Sequence, residues 1–300
     1  MNINTILKTG LLTASIISAV SLAPQTIFAE EASCESATVQ YEGKFVKKPQ
    51  ANKPILLVFF HGLGRDFTET QKWADKNFAR TDKNGKEIVK TLVLDYKAAG
   101  LSEFNDKIQV VLDDINKQKH NGHKADIVAK KELELLPVLR EIFIKNIDKI
   151  QSQFNDIPME NIVLVGHSLG GLLASTFIEV LGNNELDQVQ SLLTSMSPPI
   201  GFVNCKFNDD VSKSTTLPWI IHNEMGTKDP IFVNGAEQMQ RCCQVFSKLN
   251  HEGQSHITCS THEGEHVATK KFKKNIVETI DIALARQNDE EHILKSLTTE

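Results

Sequence analysis

Ser168 is the centre of Gly166-His167-Ser168-Leu169-Gly170, a G-x-S-x-G pattern. Ile162-Val163-Leu164-Val165, apolar and mostly β-branched, runs straight into it, and a helix-like run beginning at Leu169 follows. A buried strand must therefore end in a very tight turn from which a helix starts at once. Such a turn holds the serine hydroxyl out at its tip, and the flanking glycines remove side chains that would collide there. A serine hydroxyl is a poor nucleophile at neutral pH and needs a neighbouring base to take its proton. The base needs a carboxylate to orient it and to stabilise its cation.

The acid candidate is Asp229, in Gly226-Thr227-Lys228-Asp229-Pro230, shortly after the strand-like Trp219-Ile220-Ile221-His222. Glu224, nearer that strand, is the second choice, whereas Asp209 and Asp210 lie in a polar stretch that reads as solvent-facing. Two histidines compete for the base. His262 and His266 bracket Glu263-Gly264-Glu265, and His266, close to the closing helix, is the better placed. His251 and His256 fall before or within the last strand. These histidines and glutamates lack the helical H-E-x-x-H spacing of a metalloprotease, so no metal is expected there. The oxyanion of a tetrahedral intermediate needs two N–H donors. The Leu169 amide, at a helix N-terminus, supplies one. The Leu63 amide, in the turn His61-Gly62-Leu63-Gly64, supplies the other. Chemistry of this kind needs no cofactor.

Several elements must position these groups. Pro54 to Phe60 is a nearly continuous apolar run, as expected of a strand covered on both faces. Thr91 to Leu94, Val189 to Met196, Leu217 to Asn223 and His256 to Ser260 read as further strands, and Val39 to Val46 as a first one. Helical spacing is found over Glu69 to Arg80, Phe104 to Lys117, Lys130 to Phe154, Leu169 to Leu181, Ala236 to Leu249 and Phe272 to Ala285. Pro137 either kinks the third of these or marks its start, and Gly182 is expected to stop the fourth. Alternating strands and helices predict an α/β fold, a mostly parallel central sheet with helices on both faces.

The sequence resembles the α/β-hydrolase superfamily, its lipase and esterase members in particular, through His61 to Gly64, Gly166 to Gly170, Asp229 and His266. The likeness runs from Pro54 to Ala285. It implies the α/β-hydrolase fold and a serine hydrolase cleaving carboxylic esters. Ser168, Asp229 and His266 would form its triad, and Leu63 and Leu169 its oxyanion hole. Thioesterase or amidase activity with the same triad, and a catalytically silent binding protein, are the alternatives. The chain departs from many members in having little length for a cap between Leu193 and Trp219; its extra length lies between Tyr96 and Glu132. Pro198, Pro199, Ile200, Phe202 and Val203 are candidates to line an acyl pocket.

The bulk properties fit an exported single-domain enzyme. Of 300 residues, residues 1–29 read as a signal peptide: Lys8, an uncharged apolar stretch from Gly10 to Pro24, and a cleavage site after Ala29. Residues 35–287 then form one α/β domain and residues 288–300 a tail. A net charge of −5 gives no reason to expect a nucleic-acid partner. The expected partner is a small-molecule or lipid ester, with transient contact at a membrane or lipid surface. Five cysteines (Cys34, Cys205, Cys242, Cys243 and Cys259) lie in a chain destined for an oxidising compartment. Cys242 or Cys243 is expected to pair with Cys205 or Cys259, and the odd count leaves at least one thiol over.

Overall fold

A computed structural model describes residues 47–62, 65–104, 124–183, 189–197, 218–229, 255–264 and 267–288, with scattered residues at 106–110 and 236–247. The signal-peptide region, the Val39–Val46 strand and most of the Phe104–Lys117 helix lie outside the described residues.

Among the described residues the sheet has seven strands: β1 (Ile55–Phe60), β2 (Arg80–Thr81), β3 (Glu87–Val93), β4 (Ile162–His167), β5 (Ser191–Ser195), β6 (Ile220–Gly226) and β7 (His256–His262). Their order is β2-β3-β1-β4-β5-β6-β7. Among the described residues only the β2–β3 pair is antiparallel. The helices are α1 (Phe67–Phe78), α2 (Lys124–Ser152), α3 (Leu169–Asn183) and α4 (Lys270–Gln287).

β1 and β4 lie next to each other in the middle of the sheet, and the residues of β1 are all buried. That burial on both faces explains its unbroken apolar run. Side chains alternate across the sheet, so each strand feeds two cores. Leu56, Val58 and Phe60 meet Leu139, Phe143, Leu173 and Phe177 of α2 and α3. Ile55, Leu57 and Phe59 meet Ala74 and Phe78 of α1 and Phe272, Ile276 and Ile280 of α4. Phe177 anchors the first core, touching Phe60, Phe143 and Phe154 at ring-centroid distances of 6.0 Å.

Several boundaries differ from the sequence reading. β3 starts at Glu87, ahead of Thr91, because an edge strand, β2, pairs with it through a turn closed at Gly85 (φ 80°). Helix α2 runs through Pro137 from Lys124, ahead of the expected Lys130. α3 continues past Gly182 to Asn183. β6 begins later than expected, at Ile220, and ends at Gly226, and β7 extends to His262. The described residues between Ala236 and Ser247 are helical, as expected. Cys243 there is bonded to Cys259 of β7.

Candidate active site

Ser168 lies between the last residue of β4 and the first residue of α3, with φ 56°. A left-handed conformation costs an L-residue roughly 1–2 kcal/mol. The surroundings hold it there. The Ser168 N–H donates to Ser195 O at the end of β5 (2.9 Å), and the Gly171 N–H donates back to Ser168 O (2.8 Å). The chain thus reverses in a single residue, and Ser168 remains partly exposed.

The glycines explain how the turn can be so tight. A Cβ on Gly170 would lie 1.8 Å from Phe60 O, and one on Gly166 would lie 2.5 Å from Gly170 O. The first turn of α3 therefore packs directly onto the backbone at the end of β1. A Cβ on Gly62 would lie 3.3 Å from Ser168 Cβ. The His61–Gly62 turn is thus beside the serine, as an oxyanion-hole element must be. Leu169 is the first residue of α3, where N–H groups lack intrahelical acceptors. Leu63 lies outside the described residues.

The turn after β1 is tied to the chain leaving β3. The Tyr96 hydroxyl donates to His61 O (2.7 Å), and the two rings stack at a centroid distance of 4.1 Å and an interplanar angle of 18°. His61 Nδ1 is 3.0 Å from Gly62 O. Burial lowers the His61 pKa, opposed by the Gly62 carbonyl and by Asp95 and Asp66, and Nδ1 is the donor because a carbonyl oxygen only accepts. Burial raises the Tyr96 phenol well above its ordinary value, so it stays a donor.

Asp229 is buried in the turn after β6. That turn is laced to the one after β7: Thr227 N–H donates to His262 O (2.9 Å) and Lys228 N–H to Gly264 O (3.3 Å). The acid candidate and the start of the histidine-bearing loop are therefore neighbours.

Glu224 has another task. Its carboxylate accepts from Ser195 Oγ (3.2 Å), from Thr269 N (3.2 Å) and from Thr269 Oγ1 (2.7 Å). Thr269 in turn caps α4, accepting from the Phe272 N–H at 3.0 Å. Glu224 thus ties β5 and β6 to the start of α4, and its oxygens are already engaged.

Of the two competing histidines, His262 lies among the described residues. His262 is the last residue of β7, paired with Gly226, so it belongs to the sheet and not to the loop beyond. β7 is three strands from β4, about 14 Å at the usual strand spacing. Its ring is packed against Gly264, where a Cβ would lie 2.4 Å from Nδ1. Its Nε2 is buried with no hydrogen-bond partner among the described residues. His266, His251, Asp209, Asp210 and the Pro198–Val203 acyl-pocket candidates lie outside the described residues. His256, at the start of β7, packs edge-on against Trp219 at the opposite end of the strands, far from the serine.

Tyr96 and Thr269 are contributors that a reading of motifs overlooks. Tyr96 follows the strand adjacent to β1, and Thr269 precedes a helix as a capping residue. Both positions are visible once strand neighbours are known. Among the described residues no three His, Cys, Asp or Glu side chains gather as a metal site requires.

Residues 53–216 match the family described as PGAP1-like alpha/beta domain. No curated protein matches the chain. Among solved structures, a carboxylesterase of Bacillus cereus is 15% identical over 80% of this chain and 93% of its own, with a TM-score of 0.40. TT1662 of Thermus thermophilus is 12% identical over 80% and 91%, with a TM-score of 0.43. The RedJ thioesterase of the prodiginine pathway in Streptomyces coelicolor is 12% identical over 80% and 94%, with a TM-score of 0.38.

Proposed function

Because the chain belongs to the PGAP1-like α/β domain family, and so to the α/β-hydrolase superfamily, we propose that it is an exported serine hydrolase acting on carboxylic esters, lipid or acyl esters in particular. The observation that carries this reading is Ser168 at φ 56° on a strand–helix elbow, with the His61–Gly62 turn against it. Strain at a half-exposed serine is hard to account for as packing and is what a presented nucleophile requires.

Ser168 Oγ attacks the ester carbonyl while His266 takes its proton. Asp229 orients His266 and stabilises the imidazolium. The Leu169 and Leu63 amides hold the oxyanion. Collapse of the tetrahedral intermediate breaks the C–O bond, and His266 gives the proton to the departing alcohol. Water then attacks the acyl-enzyme with the same base, releasing the carboxylic acid and restoring Ser168.

The route of the chain supports His266 over His262. From His262 on β7 the chain returns to Thr269, which is bonded to Glu224 on β6, and Glu224 is bonded to Ser195 on β5. Ser195 O accepts the Ser168 N–H. In sequence, His266 stands between His262 and Thr269, whereas His262 itself is paired into the sheet. The Cys243–Cys259 disulfide agrees with export, because such bonds persist in oxidising compartments.

A fluorophosphonate probe tests the nucleophile. Wild type is labelled and Ser168→Ala is not; equal labelling of both would remove the assignment. p-Nitrophenyl esters of graded chain length, set beside acyl thioesters, then read the leaving-group preference.

A further inference from the structure

We infer that Glu224 is a positioning residue for the nucleophile, acting on Ser168 through Ser195; this rests on the hydrolase reading above. The peptide that joins Ser195 to Met196 lies between the two. Its carbonyl, Ser195 O, accepts the Ser168 N–H at 2.9 Å, and its N–H, on Met196, donates to Glu224 O at 2.9 Å. A peptide group is planar, so one rigid plate links the backbone of Glu224 to the backbone of the serine. The Glu224 side chain grips the same plate again, accepting from Ser195 Oγ at 3.2 Å. Ser195 and Glu224 stand opposite each other in the β5–β6 register. The residue on which the elbow hangs is therefore held by Glu224 at its backbone and at its side chain.

The elbow rests on this stretch of chain a second time. A Cβ on Gly171, in the first turn of α3, would lie 2.5 Å from Ser197 Cβ. Met196, between the two contacts, is fully buried and has φ 57°. A left-handed residue other than glycine persists only where its surroundings over-determine it. The bonds from Glu224 to Ser195 and Met196 hold it there. Glu224 is itself fixed: it is 2% exposed, and its carboxylate also accepts from Thr269 N–H (3.2 Å) and Thr269 Oγ1 (2.7 Å). Three donors meet a group that only accepts, which is the arrangement a carboxylate satisfies best. Thr269 caps α4 through the Phe272 N–H. One side chain thus couples the start of α4 to the backbone of Ser168. A misplacement of about 1 Å at a reacting group can cost 10²-fold in rate, so a restraint one residue removed from the nucleophile bears on the chemistry.

The test compares Glu224→Ala, Glu224→Gln and Ser195→Ala. Active sites are counted by fluorophosphonate labelling carried to completion, so that any unfolded fraction drops out of the rates. Alanine at 224 removes the acceptor and should lower kcat per labelled site roughly 10- to 100-fold, with KM within about 2-fold. Glutamine keeps an oxygen towards Ser195 Oγ and Thr269 N–H and should recover kcat to within about 5-fold of wild type. Ser195→Ala removes only the bond to Glu224 and should cost roughly 3- to 10-fold; it decides the matter if Glu224→Ala does not fold. A carboxylate that oriented the base would behave differently, because its amide holds the wrong tautomer and costs about 10⁴-fold. Glu224→Gln no better than Glu224→Ala would overturn the inference. So would wild-type kcat per labelled site in Glu224→Ala or in Ser195→Ala, or a loss confined to KM. Failure of the hydrolase reading looks different: Ser168→Ala would then label as well as wild type.

Discussion

The left-handed Ser168 makes a prediction about stability that is independent of any substrate. Replacing Ser168 with Ala keeps the strain, whereas Gly relieves it. The relief is about 1–2 kcal/mol. Against it stands the greater freedom of glycine in the unfolded chain, roughly 0.5–1 kcal/mol. Ser168→Gly should therefore be more stable than Ser168→Ala by roughly 0.5–1 kcal/mol, although glycine normally destabilises. Ala79 is the control, an exposed residue at the end of α1 with an ordinary φ of −62°. Ala79→Gly pays the same unfolded-state cost, roughly 0.5–1 kcal/mol, and gains nothing. The difference between the two alanine-to-glycine steps isolates the left-handed cost at about 1–2 kcal/mol, or roughly 2–8 °C in Tm for a domain of this size. Thermal and urea unfolding of the four proteins read it directly. If glycine at 168 loses as much stability as glycine at 79, the serine is not on a strained elbow and the argument for a presented nucleophile falls.

Two further outcomes are expected. His222, buried in β6 against Phe272 and Asn275, has its pKa lowered to about 4, mainly by burial and further by Lys271, with Glu224 and Glu278 opposing. A folded value below the unfolded 6.5 means that the fold is favoured above pH 6.5 and progressively loses stability as the pH falls towards 4. The loss approaches about 3 kcal/mol, and urea titrations at pH 7 and pH 4 should show a smaller acid loss in His222→Gln; an identical loss in both proteins would contradict this. The Cys243–Cys259 bond closes a loop of sequence separation 16. Dithiothreitol, or Cys243→Ser, should cost about 3 kcal/mol, and alkylation of both cysteines in the unreduced, denatured protein would refute the pairing.

The sequence by itself determined the features that depend on neighbours along the chain. Ile162 to Gly171 encodes the elbow because a strand, a glycine-flanked serine and a helix start adjoin one another, and the tight packing at Gly166 and Gly170 is written in the residues themselves. The central strand at Ile55–Phe60 was legible because burial on both faces leaves no polar position. The edge strand β2 and the first half of β3 were not, because Glu87-Ile88-Val89-Lys90 mixes charge with apolar residues, as a half-exposed strand does. Tertiary structure decided which partners the remaining polar groups meet. Glu224 and Asp229 are five residues apart and chemically equivalent candidates, yet Thr269 and Ser195, both distant in sequence, engage the first. His262 reads as a loop residue until pairing with Gly226 extends β7 to include it. Tyr96 looks like the end of a strand and reaches the His61 carbonyl only because β3 pairs with β1. A hydrogen bond between residues 35 positions apart leaves no local pattern, since its partners are brought together by sheet order and not by spacing along the chain.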